Sequence, residues 1–269
     1  MFSLQESPTG SDLKDTFYND FFNLTFTYRT TADVYRPYGA FMHKDSNRKV
    51  TPDEWKNPDE RLSDENSHPS YALNLTKFDA RKKDIAWIVS HCITESHRED
   101  YVNTLKNTSK SLNIDIYGEC GDLQVPEKPN IHAGYQQLAK EYKFYLSFEN
   151  SQCSEYVTEK FFLAMKYGLI PIVNGGLTKS DYSKIAPPKS FLHIDDYENP
   201  GDLMQELRRL SEDREAYESY FWWRDFYEVQ TDFDLETQCQ LCDIINDDSF
   251  ESINDYSNLD TYWNTCRVI

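Results

Sequence analysis

Between the apolar runs KFYLS and KFFLAMKYG the chain reads FENSQCSEYVTEK, Phe148 to Lys160, a short segment crowded with carboxylates, amides, hydroxyls and one lysine. An apolar strand before it and a helical pattern after it make the segment a strand-to-helix turn. In a parallel α/β sheet such turns open on the crevice beyond the carboxyl ends of the strands, where phosphorylated ligands rest on helix N-termini. A nucleotide is expected there. Lys160 falls in the first helical turn, where its ammonium and the free N–H groups together favour a diphosphate; a lysine at a helix start can equally be a solvated charge. Arg98 follows the strand IAWIVS and the loop HCITESH, at the start of the next helix. Its planar fork can reach the same phosphates, because the ends of adjacent strands face one crevice; as a single residue it can also be a plain surface arginine. Glu149 and Asn150 close the strand, and Tyr156, Thr158 and Glu159 open the helix. An ionised carboxylate there accepts hydrogen bonds from the two hydroxyls of a ribose or a sugar. Glu159 can instead complement the helix dipole, and spacing leaves both readings open. Glu6 precedes Ser7 and Pro8 on a proline-stiffened loop, a place for a general base that nothing local singles out.

The frame for these residues is a chain of 269 residues, 39% hydrophobic, long enough for one large or two small cores. A formal charge of -18 repels polyanions, so nucleic acid is not an expected partner. Any anionic ligand must be held by a few local cations acting within about one Debye length, ~8–10 Å. No stretch approaches the ~20 apolar residues of a membrane span, and MFSLQESPTG has neither the basic nor the apolar part of a secretory leader. Sequons at Asn23, Asn74 and Asn107, together with six cysteines, tilt the reading toward a lumenal, oxidising compartment. Cys239 and Cys242 lack the second ligand pair of a zinc site and a thioredoxin-like strand, so they are read as disulfide cysteines, with no pairing assigned.

Short apolar strands alternate with helices from about residue 84 onward. Strands are expected at Ile85 to Ser90, Ile114 to Tyr117, Tyr145 to Phe148, Ile170 to Val173 and Phe191 to Ile194. Helices are expected at Ser96 to Ser111, Tyr135 to Glu141, Val157 to Tyr167, Asp202 to Leu210, Asp213 to Tyr227 and Glu236 to Ile245. This is the pattern of a doubly wound α/β domain over 84–269. Residues 1–83 hold no comparable set of βα units and look like the end of a preceding domain, with a polar insertion at about 43–83.

With these pieces assembled, the chain resembles the α-1,3-fucosyltransferases, glycosyltransferase family 10, which include the Lewis-type enzymes. FYLSFENSQCSEYVTEKFF is similar to the donor-site motif FYLxFENSxxxDYxTEKxx, and GLIPIVNGG to the strand and turn AxPVVLGP, with Gly175 and Gly176 where proline is usual. FFNLTFTYRTTADVYRPYG resembles FNxTxxYRxDSDxxxPYG, and IAWIVSHC, DIYGECG, FLHIDDY and FWWRDFY align in order. The resemblance implies a GT-B fold with two Rossmann-like domains: here a complete GDP-fucose-binding one at 84–269 and the remnant of an acceptor domain at 1–83. It implies inverting transfer of L-fucose from GDP-fucose to the 3-hydroxyl of a GlcNAc residue in a glycan. QESPTG is similar to the family motif whose glutamate is the base, which gives Glu6 that role. Arg98 and Lys160 would take the diphosphate, and Tyr145, Glu149, Asn150, Tyr156, Thr158 and Glu159 the rest of the donor, with no metal ion. Family members are type II proteins of the Golgi membrane, and the anchor, stem and most of the acceptor domain lie outside this sequence. Two other readings stay open: a GDP-fucose-binding fragment without activity, and a GT-B transferase using another nucleotide sugar.

Overall fold

The computed structural model describes residues 2–10, 19–56, 78–108, 112–252, 257, 262–263 and 265–267. Most of the polar insertion, and with it the sequon at Asn74, lies outside the described residues. The chain begins with β1 (Phe2–Leu4), which pairs in parallel with β2 (Thr25–Thr27), itself paired in parallel with β3 (Val34–Tyr35). After β4 (Ala40–His43) comes the βα series: β5 (Lys83–Ile88), α1 (Arg98–Thr108), β6 (Ile114–Tyr117), α2 (Ile131–Glu141), β7 (Tyr142–Phe148), α3 (Glu159–Tyr167), β8 (Ile170–Asn174), α4 (Lys179–Ile185) and β9 (Leu192–His193). The chain continues through α5 (Pro200–Glu212), α6 (Arg214–Ser219), β10 (Tyr227–Gln230) and α7 (Asp234–Ile245).

The main sheet is parallel, with strand order β6-β5-β7-β8-β9. Alternation along each strand sends side chains to two apolar layers. Ile85, Trp87, Phe144, Leu146 and Phe148 meet Val102 and Leu105 of α1 and Leu203 and Leu207 of α5 on one face. Ala86, Tyr142 and Tyr145 meet Tyr135 and Leu138 of α2 and Leu163 of α3 on the other. A strand buried on both faces is mostly apolar, and β7 is so apart from Lys143 and Ser147. Gly168 ends α3 in the left-handed region at φ 82°, so β8 can start two residues later.

The chain leaves β5 to one side, toward β6, and returns on the other side to β7. The sheet therefore reverses its winding between β5 and β7, and the crevice beyond their carboxyl ends is the place where open α/β sheets bind ligands.

Several details depart from the sequence reading. A helix at Asp213 to Tyr227 is interrupted: α6 stops at Ser219, Trp222–Asp225 form a 3-10 turn, and Tyr227 opens β10. The cause is burial of Phe221, Trp222 and Trp223, which a continuous amphipathic helix could not bring to one side. α4 was not expected, although Thr178 and Asp181 form a capping box at its start. Residues 40–56, read as part of the N-terminal remnant and its insertion, pack on the C-terminal half. β4 pairs antiparallel with β10, and Phe41 lies 5.2 Å from the Trp223 ring and 5.5 Å from that of Trp55.

The cysteines also correct the sequence reading. Cys92 bonds Cys120 and Cys153 bonds Cys266, whereas Cys239 and Cys242 are free and exposed. The latter two sit on α7, where intact helical backbone carries both side chains outward instead of closing them on each other.

Candidate functional site

A cavity of about 310 Å³ opens at the switch point between β5 and β7. Of the expected site residues, Glu6, Arg98, Tyr145, Asn150, Tyr156, Glu159 and Lys160 line it. Glu149 and Thr158 lie behind its wall, with 0% and 1% of their surface exposed.

Arg98 is the first residue of α1 and is 2% exposed. Its Nη1 donates to the Phe148 carbonyl at 2.7 Å, and Nη2 to that of His91 at 3.3 Å. The guanidinium thus reaches across the switch point from α1 to the end of β7, with the Trp87 ring 5.6 Å away. Nε has no hydrogen-bond partner, and no carboxylate lies within ion-pair distance of this side chain among the described residues. Burial lowers its pKa, with Glu149 and Glu99 pulling the other way; an arginine stays charged regardless. The result is a buried cation held by carbonyl dipoles, an arrangement that favours an incoming anion.

Lys160 stands in the first turn of α3, one residue after Glu159. Its Nζ lies 3.1 Å from Glu149 Oε2, 3.3 Å from Glu159 Oε1 and 2.7 Å from Thr158 Oγ1. Burial by itself would lower the ammonium's pKa. The Glu149 and Glu159 carboxylates outweigh it and hold the pKa above the usual lysine value. Glu149 is fully committed to this end of the helix: Oε1 accepts from the Thr158 N–H at 2.8 Å, and both oxygens accept from the Thr158 hydroxyl. Both residues were expected on the ligand. In the structure the carboxylate holds Thr158, the residue before α3, together with Lys160, leaving no surface of its own for a ligand.

Glu6 also lines the cavity, with Tyr156 Oη donating to its Oε2 across 3.4 Å. Ser7, fully buried, fixes this loop to the FENSQCSEYV turn through a 2.7 Å bond between its hydroxyl and that of Ser151. The ESP turn and the donor-motif turn are therefore one joined structure. Burial raises the Tyr156 pKa well beyond its ordinary value and that of Tyr145 to about 12, so both remain neutral donors. Tyr145 Oη accepts from Tyr135 Oη at 2.6 Å, while Asn150 Oδ1 is buried with no partner.

Tyr38, Ser90, His91 and Tyr135 also line the cavity and were not singled out in the sequence. Ser90 and His91 had a signal, since they follow the last residue of β5 at its carboxyl end. Tyr38 lies in the PYG that resembles a family motif, but nothing local placed it at this site: it comes from a distant loop, and its ring packs 6.2 Å from that of Tyr156. The two disulfides brace this region. Cys92–Cys120 ties the loop after β5 to the one after β6, and Cys153–Cys266 ties the donor-motif turn to the C-terminal segment. No cluster of three metal-ligating side chains occurs among the described residues. Asn23 and Asn107, the sequon asparagines within the described residues, are both exposed.

Sheet order and switch-point cavity define an α/β fold of the GT-B type. An α1,3-fucosyltransferase crystallised with GDP-fucose shares that fold, with a TM-score of 0.52 over 94% of this chain and 77% of the other at 18% identity. Residues 78–262 match the profile described as "Glycosyltransferase family 10 (fucosyltransferase) C-term". The chain is 34% identical over its whole length to Alpha-(1,3)-fucosyltransferase C of Drosophila melanogaster, covering 60% of that protein. It is 31% identical over 91% of its length to Glycoprotein 3-alpha-L-fucosyltransferase A of the same organism, covering 43% of it. The chain belongs to glycosyltransferase family 10, the fucosyltransferases, and spans about half the length of these relatives.

Proposed function

We propose that the switch-point cavity binds GDP-fucose, and that the protein transfers L-fucose with inversion to the 3-hydroxyl of a GlcNAc residue in a glycoprotein or glycolipid glycan. The observation that carries this reading is the meeting of Arg98, Lys160 and the Glu6 carboxylate in the lining of one cavity. Arg98 and Lys160 hold the diphosphate and stabilise the charge that grows on the β-phosphate as the bond to the sugar breaks. Glu6 accepts the proton of the acceptor hydroxyl while that oxygen forms the new bond to the anomeric carbon and GDP departs from the opposite face. Tyr145, Asn150, Tyr156 and Glu159 orient the nucleotide sugar. Glu149 and Thr158 act one layer back, by fixing Lys160. The two fixed cations supply the positive charge that phosphate departure needs, so this reading requires no metal ion.

Residues 1–39, with the small parallel sheet of β1, β2 and β3, are read as part of an acceptor domain. Exposed sequons at Asn23 and Asn107 and two disulfides suit the lumen of the secretory pathway. The Golgi, with a type II anchor in the complete protein, is the proposed location.

The test is calorimetric titration of the chain with GDP and GDP-fucose, followed by turnover with a GlcNAc-terminated acceptor. Tight binding of both, with loss of turnover and retained binding in Glu6→Gln, supports the assignment. A folded chain that binds neither nucleotide contradicts it. Binding without turnover in the unaltered chain would make it a donor-binding unit, and a preference for another nucleotide sugar would move it to a different transferase specificity.

A further inference from the structure

Three hydroxyls just outside the switch-point cavity form a closed ring. Ser7 Oγ lies 2.7 Å from Ser151 Oγ and 3.0 Å from Thr9 Oγ1, and Thr9 Oγ1 lies 2.5 Å from Ser151 Oγ. Ser7 has 0% and Ser151 1% of its surface exposed, and Thr9 is half-buried. Each hydroxyl carries one donor and can also accept, so three arranged head to tail satisfy one another without water. The ring joins segments 144 residues apart in the chain. Ser7 follows Glu6 and Ser151 follows Asn150, and both Glu6 and Asn150 line the cavity. It is therefore a short path from the donor-motif turn to the Glu6 carboxylate. On the other flank of Glu6, the Gln5 carbonyl accepts from Tyr38 Oη, and Gln5 Nε2 donates to the Arg36 carbonyl at 3.3 Å. Pro8 fixes its own φ and keeps Ser7 extended. Among the described residues the Glu6 carboxylate itself has only the long 3.4 Å contact with Tyr156. Its place is set by its anchored neighbours more than by bonds of its own.

We infer that the ring of Ser7, Thr9 and Ser151 is a positioning device for the transfer step: it fixes the Glu6 carboxylate relative to the bound donor. Thr9 and Ser151 are then positioning residues that do not themselves line the cavity. The inference rests on the proposed role of Glu6 as the base. A base must stand within hydrogen-bond reach of the acceptor proton while the attacking oxygen is aligned with the anomeric carbon. A displacement of about 1 Å in such an arrangement can cost roughly a hundredfold in rate. A free carboxylate beside an anionic donor is also repelled by it, so a loosened loop would carry Glu6 away from the reacting centre. Hydroxyls suit the task because they are neutral: they hold the loop without adding a charge next to the base or the diphosphate.

Thr9→Val removes one hydroxyl of the ring with little change of shape, and Thr9→Ser keeps it. Both variants and the unaltered chain are compared in three ways: steady-state kinetics with GDP-fucose and a GlcNAc-terminated acceptor, calorimetry with GDP, and hydrogen exchange at the amides of residues 5, 6, 7 and 9. In Thr9→Val, kcat is expected to fall by about tenfold or more while the KM for GDP-fucose and the affinity for GDP stay as they were. The loop amides should exchange faster in the same variant. Thr9→Ser is expected to match the unaltered chain in all three measurements. Ser151→Ala opens the ring from the donor side and should reproduce Thr9→Val. Unchanged kcat in Thr9→Val overturns the inference, as does a fall that Thr9→Ser shares. Should the unaltered chain show no turnover, the exchange comparison decides: loop amides equally fast in Thr9→Val and Thr9→Ser overturn the device. Absent GDP binding refutes the donor reading instead, and full turnover in Glu6→Gln refutes the assignment of the base.

Discussion

Glu149 shows how a buried carboxylate can position a cation at a cavity wall without any surface of its own. Glu149 has no exposed surface, yet its two oxygens take the Thr158 N–H, the Thr158 hydroxyl and the Lys160 ammonium. Removing it leaves the buried Thr158 N–H unpaired and Lys160 with Glu159 as its remaining carboxylate, so Glu149→Ala should lower stability by about 1–3 kcal/mol in chemical denaturation. Lys160 has its pKa raised on folding, so the stability it gains is present below the unfolded lysine value of about 10.4 and is lost only as pH rises through the folded one. Above the range near pH 6 in which the terminal phosphate itself titrates, GDP affinity should therefore be flat from about pH 7.5 to 9. In Glu149→Gln the largest raising influence disappears while desolvation remains, so the Lys160 pKa falls and affinity should decline toward the alkaline end of that window. An affinity profile of Glu149→Gln parallel to that of the unaltered protein would show that the carboxylate does not hold the ammonium. At this scale the sequence showed which residues would lie together. Arg98, Lys160 and Glu6 were assigned to one site, and they line one cavity. The depth of Glu149 and Thr158 was not legible, because a carboxylate at a strand end looks the same in sequence whether it faces the ligand or the helix behind it.

The elements succeed or fail in sequence according to how local their causes are. β5, β6, β7, β8, α3 and α5 follow from apolar runs and helical spacing bounded by turn residues, and they lie where expected to within a few residues. The helix expected to run to Tyr227 breaks because a tryptophan pair is demanded by β4 and Phe41, nearly two hundred residues away in the chain, and such pairing has no local sign. Disulfide partners are hidden for the same reason, since Cys153 finds Cys266 across a separation of 113 residues. That bridge closes a long loop, so Cys153→Ser with Cys266→Ser should cost about 2–5 kcal/mol and loosen the donor-motif turn. A melting temperature unchanged by the pair of substitutions would argue against the bridge. Gly39 gives a second test at this scale. A Cβ there would stand 2.2 Å from Phe162 Cγ, so Gly39→Ala must displace either α3 or the Tyr38 loop. A loss of about 1–3 kcal/mol is expected from overpacking, measured by thermal or denaturant unfolding.

For the whole molecule, a strongly negative chain stands in contrast to the anionic donor proposed for it. The formal charge of -18 opposes any nucleotide diphosphate at long range, and that repulsion is screened beyond about 8–10 Å at ordinary ionic strength. The attraction belongs to two cations set in low-dielectric surroundings, where salt reaches them poorly. Raising the salt concentration should therefore speed GDP association and leave dissociation nearly unchanged. Stopped-flow measurement of both rates checks this, and slower association with added salt would place the steering charge outside the cavity.

The proposed diphosphate site lies between Arg98 and Lys160. Calorimetric titration with GDP and with guanosine, on the unaltered protein and on folded Arg98→Lys and Lys160→Ala variants, tests that directly. The difference in affinity between GDP and guanosine should be large in the unaltered protein and shrink by tenfold or more in each variant, with guanosine binding unchanged. GDP binding that is as tight in both variants as in the unaltered protein would contradict it.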